Sequence, residues 1–225
     1  LGDNEVTYAT GNHDISRVVS SWGHEARRQG REDDFACLAV ALVTSLPGSC
    51  CLYQGEELGL EDAQVPYEAL KDPYGIEFFP EFPGRDCCRT PIPWTADAAN
   101  AGFSAAAPWL PVDPTHITKA VDAQERDPAS TLNRVRAFLN WRRSEPVMRG
   151  GADFRLLDTA DGVVAGVRSL GGEKMLCAFN MGSRTSSIEL PAGNWESVPV
   201  GGFHALRSGS LLTLPAFGGA FLHLR

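Results

Sequence analysis

The sequence predicts an α/β region followed by an all-β region. Three observations carry that prediction. A nearly uninterrupted apolar helix, Asp33 to Leu46, lies between two short strand patterns, Glu5 to Thr10 and Ser49 to Tyr53. That is one βα repeat and the start of the next. An amphipathic helix, Ser130 to Arg143, then closes the region. After Gly150-Gly151 the pattern switches to short strands separated by Gly, Asn and Ser, which reads as an antiparallel all-β domain of sandwich type. The expected division is therefore 1–150 and 151–225.

Length and charge set the outer bounds. At 225 residues the chain can build one large domain or two small ones. A net charge of -8 argues against nucleic-acid backbones and anionic membranes as partners. No apolar run approaches the roughly 20 residues that span a bilayer. Of the six cysteines, Cys50-Cys51 and Cys87-Cys88 are vicinal, and no pair has zinc-site spacing. Cys37 and Cys177 sit in apolar patterns, where Cys behaves as a small hydrophobe. Reduced thiols and a cytoplasmic location are expected.

Each element has its own local signal. β-branched and aromatic residues favour a strand to Thr10, which ends in Gly11-Asn12-His13-Asp14. The polar stretch from Ile15 to Arg31 reads as a loop or a short helix. Asp33 and Asp34 suit the positive end of the following helix, and Pro47-Gly48 stops it. Residues 60–115 carry nine of the prolines and show no periodicity. Their aromatics, among them Tyr67, Tyr74, Phe78, Phe79, Phe82, Trp94, Phe103 and Trp109, predict an ordered loop with its own burial, and Trp94 and Trp109 read as anchors. Ser130 can cap the amphipathic helix, and Arg142 and Arg143 suit its negative end. Strands are expected at Val163 to Arg168, Lys174 to Phe179, Ser186 to Leu190, Leu211 to Leu214 and Ala220 to Leu224.

The candidate chemistry gathers at strand ends. A strand that delivers Asn12-His13-Asp14 at its C-terminal end is how an enzyme barrel presents functional groups, although Asn and Asp also simply favour turns. Arg17 can pair with a nearby carboxylate. Arg85 and Asp86 can equally form a local ion pair that folds their loop, with Arg85 mainly structural. Adjacent side chains such as Glu56 and Glu57 point apart, so they do not make an acid/base pair. His24, His116, His204 and His223 lack metal-ligand partners at sensible spacing, and no metal or cofactor is implied.

Five motifs occur in order: Asn12-His13-Asp14 with Arg17; Leu46-Pro47-Gly48 through Leu52-Tyr53-Gln54-Gly55-Glu56-Glu57; Asp72-Pro73-Tyr74-Gly75; Gly84-Arg85-Asp86-Cys87-Cys88-Arg89-Thr90-Pro91; and Ala101-Gly102-Phe103-Ser104 with Pro108-Trp109-Leu110-Pro111. From Val6 to Arg149 this order resembles the second half of an α-glucosidase of the α-amylase superfamily, glycoside hydrolase family thirteen. The resemblance implies that Val6 to Thr10 is the seventh strand of a (β/α)8 TIM barrel, Cys50 to Tyr53 the eighth, and the proline-rich segment the loop after strand 8. It implies that Asp14 is the transition-state-stabilising carboxylate, not the nucleophile, and that His13 and Arg89 bind the sugar. Asn12, Arg17, Arg85 and Asp86 would support them. Cys87 departs from the family, which has Gly or a small polar residue there.

A retaining glycosidase needs two carboxylates flanking the scissile bond. The family takes them from barrel strands four and five, and no segment here resembles the nucleophile motif. The chain alone is therefore expected to be inactive, as the C-terminal part of an enzyme acting on maltose-, isomaltose- or sucrose-type α-glucosides. Its missing N-terminal barrel half would come in cis or in trans. Two other readings stand beside this one: a non-catalytic amylase-like scaffold protein, and a stand-alone β-sandwich module.

Overall fold

The computed structural model describes residues 6–225, so Glu5 of the expected first strand lies outside the described residues. Strand β1 (Thr7–Ala9) pairs in parallel with β2 (Ser49–Cys51). Between them run α1 (Val18–Ser21), α2 (His24–Arg28) and α3 (Glu32–Ser45). Helix α3 is buried over most of its circumference, which is why its sequence shows a run and not a stripe. The predicted polar stretch resolves into the two short helices α1 and α2.

Residues 60–115 form a long loop with short helical turns, including α4 (Pro73–Glu77), and lead into α5 (Pro114–Ile117) and α6 (Val121–Arg126). The expectation that aromatics would organise this loop is overturned. Tyr67, Tyr74, Phe78, Phe79, Phe82, Trp94, Phe103 and Trp109 are all exposed, Trp109 by 63%. Buried carboxylates organise it instead. Asp86 accepts the backbone N–H groups of Lys71 (2.6 Å) and Asp72 (2.8 Å). Asp113 accepts those of Gln64 and Thr115, both at 2.7 Å. A proline-rich segment cannot satisfy its backbone within regular structure, so short acidic side chains take up its free N–H groups.

Helix α7 (Thr131–Ser144) begins at Ser130, whose hydroxyl accepts from the Asn133 N–H at 3.2 Å. Eight strands follow: β3 (Asp153–Leu156), β4 (Val163–Leu170), β5 (Glu173–Asn180), β6 (Ser186–Glu189), β7 (Trp195–Ser197), β8 (Leu206–Ser208), β9 (Leu211–Leu214) and β10 (Gly218–Leu224). They form an antiparallel five-stranded sheet, ordered β3-β4-β5-β10-β7, and a three-stranded sheet, ordered β6-β9-β8. Sequence patterning misses β3, β7 and β8. All three are edge strands of three or four residues; β3 and β8 bury no side chain and β7 buries only Trp195, so little apolar pattern marks them.

Strand β5 is buried on both faces. Leu176 and Ala178 face the three-stranded sheet, in a cluster with Ile188, Leu212 and Leu214. Met175, Cys177 and Phe179 face the helices, in a cluster with Leu38, Val135, Phe138 and Met148. This second cluster crosses residue 150, so the helical and β regions share a core. Phe221 sits at its centre, with Phe138, Trp141, Phe179 and Phe203 rings 4.9 to 5.9 Å away. Buried Arg168 adds a polar clip between the two regions. It donates to the carbonyls of Ser45 (2.9 Å), Val147 (2.8 Å) and Arg149 (2.7 Å).

Truncating Phe221 empties the shared core, at a typical cost of about 3–5 kcal/mol. Phe221→Ala is expected to lower the unfolding free energy measured in urea by that amount, with far- and near-UV circular dichroism losing signal together. Separate transitions for the two signals would show that the two regions fold independently.

Candidate active site

The site is built on the C-terminal end of β1. Asn12 accepts the Asp14 N–H at 2.8 Å through its side-chain oxygen, which turns the chain sharply after the strand. The end of β2 is tied to it from below. Glu56, buried, accepts the Thr10 hydroxyl at 2.9 Å and the Tyr53 N–H at 3.1 Å. Burial pushes its carboxyl above the usual range, against those hydrogen bonds. Gly11 is required here, because a Cβ would lie 2.7 Å from the Glu56 carboxylate. Glu57 accepts the Gly55 N–H at 2.8 Å, so the two glutamates brace different groups and do not face one bond.

Asp14 is the meeting point. Arg89 donates from Nη2 to its Oδ1 at 2.9 Å and from Nε to the His13 carbonyl at 2.6 Å. Arg85 donates to the same Oδ1 at 3.1 Å, and His13 Nε2 lies 3.3 Å from Oδ2. Arg85 is itself held by Asp72 through two parallel bonds, Nε to Oδ2 and Nη2 to Oδ1, both 2.9 Å. Asp72 has no exposed side-chain surface, and the Arg85 guanidinium holds its carboxyl well below the usual range. The aromatic ring of Tyr74 lies under Arg85 at 5.6 Å.

Two sequence expectations are corrected. Arg85 and Asp86 do not pair: Arg85 reaches Asp72 and Asp14, while Asp86 turns inward to backbone N–H groups. Arg17 does not direct its guanidinium to a carboxylate. It is buried and donates to the carbonyls of Gln54 (2.6 Å) and Cys88 (3.1 Å), over the Tyr53 ring. Arg17 thus pins the loop bearing Arg89 to the end of β2. Asp72 was missed as a site residue. Its signal was an Asp-Pro pair at a helix start, since it caps α4 with Pro73 in the first turn. The same pairing at Asp113-Pro114 starts α5.

His13 and Asp14 are open to solvent, with 71% and 49% of their side chains exposed. Such a fixed carboxylate, flanked by an imidazole and a guanidinium fork, can accept hydroxyl groups of a polyol and answer positive charge. Among the described residues, no group of three or more His, Cys, Asp or Glu could hold a metal ion.

The sequence matches the family described as "Alpha amylase, catalytic domain" over residues 3–151. The chain belongs to the alpha-amylase family. A probable alpha-glucosidase of Rhizobium meliloti (strain 1021) is 42% identical over 217 residues, covering 96% of this chain and 38% of that protein. An oligo-1,6-glucosidase of Parageobacillus thermoglucosidasius is 27% identical over 198 residues, covering 80% and 34%. The crystal structure of the alpha-glucosyl transfer enzyme XgtA superposes with a TM-score of 0.91 at 43% identity, over 98% of this chain and 40% of that one. The chain thus spans 34 to 38% of the length of these two curated alpha-amylase relatives.

The Asp72 carboxylate stabilises the folded state above its unfolded value of about 3.9, and that contribution fades as the pH falls below it towards the depressed folded value. Asp72→Asn is expected to lower the melting temperature at pH 7, with the gap to the parent narrowing as the pH is taken to 3. A gap independent of pH would remove the carboxylate's charge from the account.

Proposed function

We propose that this chain forms the C-terminal part of a retaining α-glucosidase, in which β1 and β2 are barrel strands 7 and 8 and the two antiparallel sheets form a β-sandwich domain after residue 150. The observation that carries this reading is the Arg89 fork, which holds Asp14 Oδ1 and the His13 carbonyl at once. The identity to an alpha-glucosidase and to an alpha-glucosyl transfer enzyme supports the reaction class.

In this role Asp14 does not attack the sugar. Its Oδ1 is occupied by two guanidinium groups, so Oδ2, which has the His13 imidazole beside it, is the oxygen with room to accept sugar hydroxyls. Those hydrogen bonds strengthen as the ring gains oxocarbenium character, because hydroxyl protons become more acidic beside a developing positive charge. Arg85 and Arg89 fix the carboxylate before the reaction, so little reorganisation is needed at the transition state. His13 adds a further contact to the same ring. The nucleophile and the general acid come from outside this chain. The substrates are short α-glucosides, and glucosyl transfer to an acceptor other than water follows from the same covalent intermediate.

Two measurements test this. The purified chain is expected to leave p-nitrophenyl α-D-glucoside and maltose intact, and turnover by the chain alone would overturn the assignment of the missing carboxylates. Grafted in place of the matching segment of the Rhizobium meliloti relative, the chain is expected to support hydrolysis. In that chimera Asp14→Asn should cut kcat by about 10²–10³ with folding unchanged. Arg89→Ala should lower kcat/KM by about tenfold or more, the loss of a charge-assisted hydrogen bond. Near-normal turnover in the Asp14 variant would remove Asp14 from the mechanism.

A further inference from the structure

We infer that Cys87 and Cys88 form a two-sulfur capture site for trivalent arsenicals, set in the turn that carries Arg85 and Arg89. The two residues lie on one turn of 3-10 helix, Asp86–Cys88, directly between the arginines. Both thiols are directed back along that turn. Cys87 Sγ lies 3.7 Å from the Gly84 carbonyl and Cys88 Sγ 3.1 Å from the Arg85 carbonyl. The adjacent Cys87 side chain, opposed by burial and the Asp62 charge and reinforced by the Arg17 and Arg89 charges, draws the Cys88 thiol below its usual range. Cys87 lines a cleft of about 850 Å³ with Ser16, Asp62, Phe82 and Gly84, so a small molecule reaches it from solvent, while Cys88 is buried behind it.

Geometry selects the ligand. Adjacent Cα atoms are about 3.8 Å apart across a trans peptide, below the roughly 4.4–6.8 Å that a relaxed disulfide spans. A direct Cys87–Cys88 bond is therefore strained. An inserted arsenic atom enlarges the ring and relieves that strain. The other vicinal pair cannot compete. Cys50 and Cys51 lie in β2, where successive side chains point to opposite faces. In the capture step an arsenoxide R–As=O meets two thiols. Two As–S bonds form, the As–O bond breaks, and the arsenic oxygen leaves as water with the two thiol protons; nothing is oxidised or reduced.

Closing the ring takes both thiols off the Gly84 and Arg85 carbonyls and pulls on the Cys88 carbonyl, which holds Arg17 and the Tyr53 hydroxyl (3.0 Å). Capture therefore displaces the arginines that fix Asp14. The mass measurement below is independent of the proposed reaction, whereas the activity measurement rests on it.

The probe is phenylarsine oxide, added to the reduced native chain and followed by intact-mass spectrometry. One phenylarsenic group per chain is expected, resistant to excess glutathione and removed by 2,3-dimercaptopropanol. Cys87→Ser and Cys88→Ser should each abolish the glutathione-resistant adduct, while the Cys50→Ser/Cys51→Ser double variant keeps it. No resistant adduct on the parent chain, or one that survives in Cys87→Ser, would overturn the site; so would a Cys87–Cys88 disulfide formed in its place. In the hydrolytic chimera, the reagent should abolish turnover reversibly, and Cys87→Ser should retain both turnover and resistance. Adduct formation without loss of turnover would leave the capture site standing and overturn its coupling to the arginines.

Discussion

A buried carboxylate is costly unless a cation and hydrogen bonds satisfy it. Asp72 is such a group, and the loop is folded around meeting its needs. Arg85 supplies two parallel bonds and its own N–H, and the Tyr74 N–H supplies a fourth donor. Once Arg85 is committed to Asp72, its remaining Nη1 lies in one place, and that place is Asp14. The geometry of the solvent-facing carboxylate is thus inherited from one that no solvent touches. Arg89 follows four residues later on the same turn and reaches the same oxygen, because Arg17 and Tyr53 hold the Cys88 carbonyl in between.

The loop therefore works by polar satisfaction, and its aromatics stay on the surface. The helices and sheets work the other way. Their energetics are apolar, and the strongest link between them is the ring cluster around Phe221, with Arg168 as a polar clip at its margin. A rigid apolar body thus carries a loop that is fixed by charge and backbone hydrogen bonds. Such a loop can be altered by changes in one or two side chains without disturbing the core beneath it, a general property of functional loops on rigid scaffolds.

Much of the regular structure was legible in the sequence, because it rests on signals local to each segment. The run of apolar residues in α3, the Ser130 cap of α7 and the short apolar runs of β4, β5, β9 and β10 each act over a few residues. The turn at Asn12-His13-Asp14 was legible for the same reason. Strands β3, β7 and β8 were not: each is three or four residues long, β3 and β8 bury no side chain and β7 buries only Trp195, which leaves no apolar pattern to read. Exposure of the loop aromatics was misread because composition reports burial potential, not where buried space exists.

The sequence by itself determined the alternation of strand and helix, the switch to antiparallel strands near residue 150, and the residue types gathered at the end of β1. Only the tertiary structure decided which charges meet. Arg85 lies one residue from Asp86 yet binds Asp72 and Asp14, 13 and 71 residues away. The Arg17 guanidinium bypasses carboxylates for the carbonyls of Gln54 and Cys88, while its backbone N–H donates to Asp62. Partner choice of this kind follows from which groups are desolvated together, and desolvation is a property of the packed molecule that spacing along the chain does not encode.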